Sequence, residues 1–260
     1  MFLASTASFT VLLAVYTMTL VEVRRRYMTE QRLLDANSRL DLANKQLDAF
    51  THSVSPDLRS PIRHVMGFAS MLDQGKLSPD DRVTLSKITE AAGHMRDMVE
   101  SLLRLSRTSR ADMHHDDVDM AVLVHAAIEK AGVDGRVVQW QVHLLPVVKG
   151  DQYLLRQVWA NLLSNAVKYT AQQKLARVEI GAEHKGPWWE FFVRDNGVGF
   201  NMNMAGRLFN VFSRLHGPEF DGVGVGLANV WTIVNRHGGR VWAEAKMNKG
   251  ATFYFSLPDR

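Results

Sequence analysis

From about Tyr27 to Arg107 the apolar residues recur every three or four positions. Leu33, Ala36, Leu40, Ala43, Leu47, Phe50 and Val54 form a heptad seam that continues less strictly through Leu58, Ile62, Val65 and Leu72. The segment Gln74-Gly75-Lys76-Leu77 reads as a turn. Ser78-Pro79-Asp80-Asp81 then reads as an N-cap, a proline at the first helical position, and acids on the positive end of the helix dipole. A second seam follows at Leu85, Ile88, Ala92, Met95, Val99 and Leu102. The pattern predicts two long helices forming a hairpin with one apolar stripe on each. Such a hairpin buries its stripes poorly alone, so pairing into a four-helix bundle is the expected solution.

Thr108 to Asp117 is polar and reads as a linker. Beyond it the period changes. Helices are expected over Val118 to Ala131, over Asp151 to Tyr169, and around Leu227, Val230, Trp231 and Val234, the last closed by Gly238-Gly239. Strands are expected over Val137 to Val142, Arg177 to Ala182 and Trp188 to Arg194, with a final hairpin of Val241 to Ala245 and Ala251 to Leu257. This alternation predicts an α+β chain whose second part is an α/β sandwich, with helices on one face of a mixed sheet.

The start of the chain differs from both parts. Residues 1–21 carry no charged side chain, and Arg24-Arg25-Arg26 follow after Glu22 and Val23. Roughly 20 apolar residues span a bilayer, and a cationic cluster just after a span favours a cytoplasmic C-terminal side. Serines and threonines dilute the stretch, and a cleaved signal or a truncation remnant are the alternatives to a membrane helix. Among 260 residues the apolar fraction is 46% and the charged fraction 22%, which is ordinary for globular domains. Net charge is +4, with no long basic stripe interleaved with aromatics, so nucleic acid is not an expected partner. With no cysteine, disulfides, zinc–thiolate sites and thiol catalysis are excluded.

The chemistry lies between Asp151 and Gly250. Asn161 and Asn165 are four apart on one helix and so share a face, with Lys168 and Tyr169 a turn further on. Amide oxygens suit Mg²⁺, and a lysine neutralises phosphate charge. A solvated polar face has the same spacing, so this motif decides nothing alone. Asp195 ends an apolar strand, where its carboxylate can accept a hydrogen bond from an exocyclic amine such as adenine's. Gly197 and Gly199 allow close backbone approach to a flat base, although an ordinary turn after a strand reads the same way. Gly222, Gly224 and Gly226 lead into the helix at Leu227, whose first N–H groups suit phosphate. The glycine pattern is neither a P-loop nor a dinucleotide fingerprint. The intervening Asn201 to Asp221, with Leu208, Phe209 and Phe212, is long for a loop and fits a mobile lid. In this order the motifs describe a nucleotide pocket.

These residues resemble a sensor histidine kinase over about residues 22 to 258. Their Asn-, Gly- and Phe-containing boxes are similar to the ATP-binding domain shared with gyrase, mismatch-repair and heat-shock ATPases. Phe212-Ser-Arg-Leu-His216 and Arg236-His-Gly-Gly-Arg-Val-Trp-Ala-Glu244 are similar to the phytochrome-like branch. The resemblance implies that Asn165 is the Mg²⁺ ligand, that Asp195 contacts adenine, and that the glycine boxes frame a lid over ATP. Val223 departs from the branch, which usually has Thr there. The resemblance also implies a homodimer or a mixed dimer with a related kinase, and a response-regulator receiver domain as partner. The organisation expected is a membrane helix over 1–21, a coiled-coil linker and dimerising hairpin over 22–107, a linker over 108–117, and a catalytic ATP-binding domain over 118–260. The protein would then be a single-pass inner-membrane protein with its catalytic part in the cytoplasm.

One position breaks the pattern. Kinases of this family place the acceptor histidine directly before Asp-Leu-Arg, and here Pro56 precedes Asp57-Leu58-Arg59. Proline has no nucleophilic side chain. Asp57 resembles the acid that activates the histidine, and Ser60 sits where some relatives position a water for phosphatase action. A proline inside a helix costs roughly 3 kcal/mol and bends it, so a kink is expected near 52–56, with a fresh helix start at Ser55-Pro56-Asp57 as the alternative. His52 lies one turn, about 5.4 Å, before Pro56 and is a weak substitute acceptor. His64 reads as a polar face residue, and His94 and the His114-His115 pair lack a partner set for metal. The chain therefore reads either as an ATP-dependent kinase acting on a partner's histidine or as an ATP-binding pseudokinase. A clamp-type ATPase of the same superfamily is the less favoured third reading.

Overall fold

In the computed structural model the described residues are 18, 22, 24–28, 30–31, 60–72, 77–110, 112–131, 135–215, 217, 220 and 222–259. The chain divides into two compact units, Met1–Val54 and Ser55–Arg260. The described residues of the first unit are helical, and the exposed pair Arg26–Glu22, four apart, closes at 3.3 Å. The first heptad seam up to Leu58, most of the 74–77 turn, the expected kink, and His52, Pro56 and Asp57 lie outside the described residues. So does all of 1–21 except Met18. Among the described residues no helix is long and apolar enough to cross a membrane.

The second unit opens with helix α1 over 60–71 and helix α2, Pro79–Arg110. Ser78 caps α2 as its sequence predicts. Its Oγ accepts from the Asp81 N–H at 3.1 Å and donates to the Asp81 carboxylate at 2.6 Å. Ile62, Ala92, Val99 and Leu103 pack the hairpin interior, with Met66 against them. Only half of the second seam is buried there. Ile88 and Met95 are each 47% exposed, and Phe68 and Met71 on α1 are more exposed still.

α2 continues to Arg110, and the chain then forms strand β1, Asp116–Asp119. The linker expected over 108–117 is therefore shorter, and the helix expected from Val118 begins instead at Met120. Asp-Asp-Val-Asp offers one apolar residue and no strand signal. It becomes a strand by pairing antiparallel with β3, Val147–Gly150, another short strand not expected from the local pattern. Between them lie helix α3, Met120–Lys130, capped by the Asp119 carboxylate, and strand β2, Val138–Val142.

Helix α4 is Gln152–Tyr169, β4 is Ala176–Lys185, β5 is Trp188–Asp195, a 3₁₀ turn spans Met202–Arg207, α5 is Gly226–Arg236, β6 is Val241–Lys246 and β7 is Gly250–Pro258. The main sheet runs β2-β4-β5-β7-β6. β2 and β4 are parallel and the other pairs antiparallel, so the sheet is mixed, as expected. α4 buries Leu155, Val158, Trp159, Leu162 and Leu163 in the layer between helices and sheet. There the Trp159 ring meets Phe255 edge-on at 5.2 Å, and Phe255 stacks on Phe191 at 4.7 Å.

Candidate functional site

The site lies where the end of α4, the end of β5 and the start of α5 meet. Asp151 caps α4, accepting from Leu154 N–H at 3.0 Å and from His114 N–H at 3.1 Å. α4 carries Asn161, Asn165, Lys168 and Tyr169, all half-buried, along the edge that faces α5 and the following loop. Asn161 Nδ2 donates to the Gln157 carbonyl at 2.8 Å. Its Oδ1 faces Gly226, where a Cβ would stand 3.0 Å away. The Asn165 side chain makes no hydrogen bond within the described residues, so its amide is free to face the cavity.

β5 delivers Asp195, 5% exposed. One carboxylate oxygen accepts from Gly197 N–H at 2.8 Å and more weakly from Ala251 N–H at 3.4 Å. Burial pushes this carboxyl up to about 6, against the opposing pull of those two N–H groups. The loop after Asp195 is pinned to the end of α4, because Val198 N–H donates to the Tyr169 carbonyl at 3.2 Å. Two glycines make this approach possible. A Cβ on Gly197 would come within 2.4 Å of the Tyr169 carbonyl oxygen, and one on Gly199 (φ +59°) within 2.1 Å of the Lys246 carbonyl oxygen.

Two cavities adjoin here. The smaller, about 40 Å³, is lined by Asp195, Gly199, Phe200 and Phe253 with lid residues Leu208, Ser213 and Leu215. The larger, about 220 Å³, is lined by Asn165, Lys168 and Gly222 to Leu227. Tyr169, Leu208, Ser213 and Leu227 belong to both. Lys168 Nζ lies 4.4 Å over the Tyr169 ring and 3.4 Å from where a Cβ on Gly222 would be. α5 begins with no side-chain cap at Val225, so its first N–H groups are left for another partner. Burial raises the Tyr169 phenol, with Arg214 opposing the shift. The lid folds over this end. Phe220 packs on Tyr169 at 5.1 Å, and Arg214 Nη2 donates to the carbonyls of Gly217 and Phe220 at 3.0 and 2.7 Å.

The structure thus brings Asn165, Lys168, Tyr169, Asp195, Gly199, Gly222, Gly224, Gly226 and Leu227 to one pair of cavities. Gly197 supports the loop from beneath, and Asn161 lines a neighbouring cavity between α4 and α2. Phe209 and Phe212 do not line either cavity. Phe209 packs on the domain core, and Phe212 is 46% exposed with φ +61°. Ser60 is exposed on α1 and lines none of these cavities. Phe200 and Ser213, which fall within the 195–200 and 212–216 motifs, line them too, as do Phe253, Ala251 and Ser101, which carry no local signal of a site. A further cavity, about 710 Å³, is lined by Arg177, Glu179 and Arg194 and reaches Asp195 and Ala251, but it includes neither Asn165 nor Lys168.

An acidic metal site is not what this arrangement provides. Among the described residues there is no group of three His, Asp or Glu side chains that could hold an ion. The free amide of Asn165 beside a phosphate-sized cavity fits Mg²⁺ held by one protein oxygen, waters and ligand phosphates.

Comparison with known proteins bears on both parts of the chain. Residues 150–260 match the "Histidine kinase-, DNA gyrase B-, and HSP90-like ATPase" family, and residues 46–110 match the "His Kinase A (phospho-acceptor) domain". Cyanobacterial phytochrome B of Nostoc sp. is 35% identical over 87% of this chain, and the methanogenesis regulatory histidine kinase FilI of Methanothrix harundinacea 32% over 84%. The chain spans only 31% and 25% of those two relatives' lengths. Full-length ShkA, solved in complex with AMPPNP, superposes with a TM-score of 0.59 at 28% identity, over 81% of this chain and 45% of that one. The histidine kinase AdeS of Acinetobacter baumannii shares the fold at a TM-score of 0.53 and 22% identity, over 78% of this chain and 96% of that one.

Proposed function

We propose that this chain, which belongs to the sensor histidine kinases by its two domains, binds Mg-ATP in the cleft between Asp195 and Lys168 and passes the γ-phosphoryl group to a histidine on a partner subunit. The observation that carries the reading is the continuity of the two cavities across Tyr169 and Leu227. A buried carboxylate stands at one end, and a lysine, a free amide and an uncapped helix start stand at the other. An adenine amine would donate to the free oxygen of Asp195. The phosphates would lie against Lys168 and the first N–H groups of α5. Asn165 would hold Mg²⁺, which shields charge on the phosphates when bound.

The transfer breaks the bond between the γ-phosphorus and the bridging oxygen of ADP and forms one to an imidazole nitrogen. ADP leaves with the bonding pair. Pro56 offers no such nitrogen at the family position, so in this reading a histidine on another chain accepts the group, and a mixed dimer with a related kinase supplies it. The half-exposed Ile88 and Met95 support pairing of the hairpin. A response-regulator receiver domain would take the phosphoryl group onward. A single-pass anchor over 1–21 would place this at the inner membrane.

Pro56 also favours a second reading, an ATP-binding pseudokinase that modulates other signalling proteins as a dimer. One experiment separates the two. The chain is incubated with γ-labelled ATP and Mg²⁺, alone and with a catalytically dead relative that keeps its acceptor histidine. Label on the relative supports the kinase. ATP binding without label on either protein sinks it and leaves the pseudokinase. Label on the chain alone that disappears in His52→Ala would make His52 the acceptor. Gain of label in Pro56→His would show that the acceptor alone is missing.

A further inference from the structure

The hairpin reaches the nucleotide cleft through one turn of α2. Ser101 lines the 220 Å³ cavity together with Asn165, Lys168 and Gly222, and it takes no part in the Asp195 slot. A nucleotide whose base lies against Asp195 therefore presents its phosphates, not its base, to Ser101. One turn further along, Arg104 Nη2 donates to Ser101 Oγ at 3.3 Å. The Arg104 guanidinium is exposed and forms no ion pair within the described residues. It lines an adjoining cavity of about 460 Å³ that shares Ser101, Val225 and Gly226 with the phosphate cavity, so the two meet at the start of α5. Arg214, the lid cation at this end, is already held by two carbonyls.

An unpaired guanidinium one hydrogen bond from a phosphate-sized cavity has the donor geometry that recognises phosphate oxygens in pairs. We propose that Arg104, positioned by the Ser101 hydroxyl, reads the terminal phosphate of the bound nucleotide from the hairpin side and makes the site prefer a triphosphate to a diphosphate. The inference rests on the nucleotide reading given above. It adds a consequence for the two parts of the chain. α2 is tied to α5 by Arg236, whose Nη1 donates to the Thr108 carbonyl at the end of α2. A terminal phosphate held by Arg104 adds to that docking, and by linkage docking then raises affinity for the triphosphate by the same factor.

The test is calorimetric titration of the full chain, in Mg²⁺, with AMPPNP and separately with ADP. Unaltered chain, Arg104→Gln, Ser101→Ala and Arg177→Gln are compared. Arg177 lines neither the phosphate cavity nor the Asp195 slot, and its replacement removes the same charge. Arg104→Gln is expected to weaken AMPPNP about tenfold while moving ADP less than about twofold. Ser101→Ala should act in the same direction and more weakly, and Arg177→Gln should leave the preference unchanged. Arg104 is exposed, so a thermal melt matching the unaltered chain rules out misfolding as the cause. Equal weakening of both nucleotides, or unchanged preference in Arg104→Gln, overturns the inference while leaving ATP binding in place. Failure of the unaltered chain to bind either nucleotide overturns the nucleotide reading and this inference with it.

Discussion

The buried imidazole of His237, at the end of α5, accepts a hydrogen bond from the backbone N–H of Asp151, at the start of α4, at 3.0 Å. Its Nδ1 faces the Ile233 carbonyl at 2.8 Å, which makes that nitrogen the protonated one in the neutral ring. The two helices that carry the cleft are thus tied at the end remote from Lys168, and the Asp151 carboxylate adds the 114 loop through His114 N–H.

This tie predicts an acid sensitivity. Burial holds His237 below its ordinary 6.5, with the Ile233 contact opposing the shift. A depressed histidine contributes stability that is present above pH 6.5 and is lost as pH falls through its folded value. Burial pushes the Asp151 carboxyl up, but the N–H groups of Leu154, His114 and Tyr153 together with His237 outweigh it and hold it low, so its contribution disappears only as pH falls below 3.8. Urea denaturation is expected to show two separate losses of stability in acid. His237→Phe should remove the upper one and cost about 1–3 kcal/mol at pH 8, because it leaves the Asp151 N–H unpaired.

Asp195 titrates in the opposite sense. Its folded value near 6 lies above 3.8, so it favours folding below pH 3.8, and that contribution is lost as pH rises through 6. The shift corresponds to roughly 3 kcal/mol. Asp195→Asn is therefore expected to raise the melting temperature at pH 7.5 while weakening nucleotide binding, a trade of function for stability. In the unaltered chain, nucleotide affinity should fall as pH drops from 7 to 5, because the amine needs the ionised carboxylate. An affinity that is flat across that range would remove Asp195 from base recognition.

Gly199→Ala is expected to disable the cleft from below. The new Cβ meets the Lys246 carbonyl oxygen at 2.1 Å and the Gly250 carbonyl oxygen at 2.8 Å, both backbone, at φ +59°. Relief requires the β6–β7 turn to move, at a cost of about 1–3 kcal/mol. Thermal melts should show the loss, and titration should show weakened nucleotide binding.

The base slot holds about 40 Å³, near the share of one liquid water. Leu208, Ser213 and Leu215 close it, so nucleotide entry requires the lid to move. Stopped-flow binding should therefore show an observed rate that saturates with nucleotide concentration. Arg214→Ala frees the carbonyls of Gly217 and Phe220 and is expected to raise that plateau by several-fold. A rate that stays linear in nucleotide at all concentrations would contradict a closed resting lid.

A charge on the exposed seam tests pairing of the hairpin. Ile88 is half-exposed on α2. Ile88→Asp is expected to shift the chain from dimer to monomer in sedimentation, with an unchanged melt of the 116–259 domain.

Much of this protein is local and so legible in its residues. Ser78 and Asp81 cap α2 through neighbours in the chain, the α4 stripe repeats at helical spacing, and β6 and β7 alternate about a short turn. The motif residues Asn165, Lys168, Asp195 and Gly222 to Leu227 were readable for the same reason, since each sits at a helix edge, a strand end or a glycine turn. Pro56 is also a matter of sequence alone, because no fold gives proline a nucleophile. Contacts across long stretches of chain were decided elsewhere. β1 is a strand only because β3 pairs with it, Asp195 is perturbed only because the surrounding core buries it, and His237 meets Asp151 across 86 positions. Ser101 and Arg104 look like ordinary polar positions on α2 until α2 docks against α5. Burial and proximity between distant segments are properties of packing, and no local pattern encodes them.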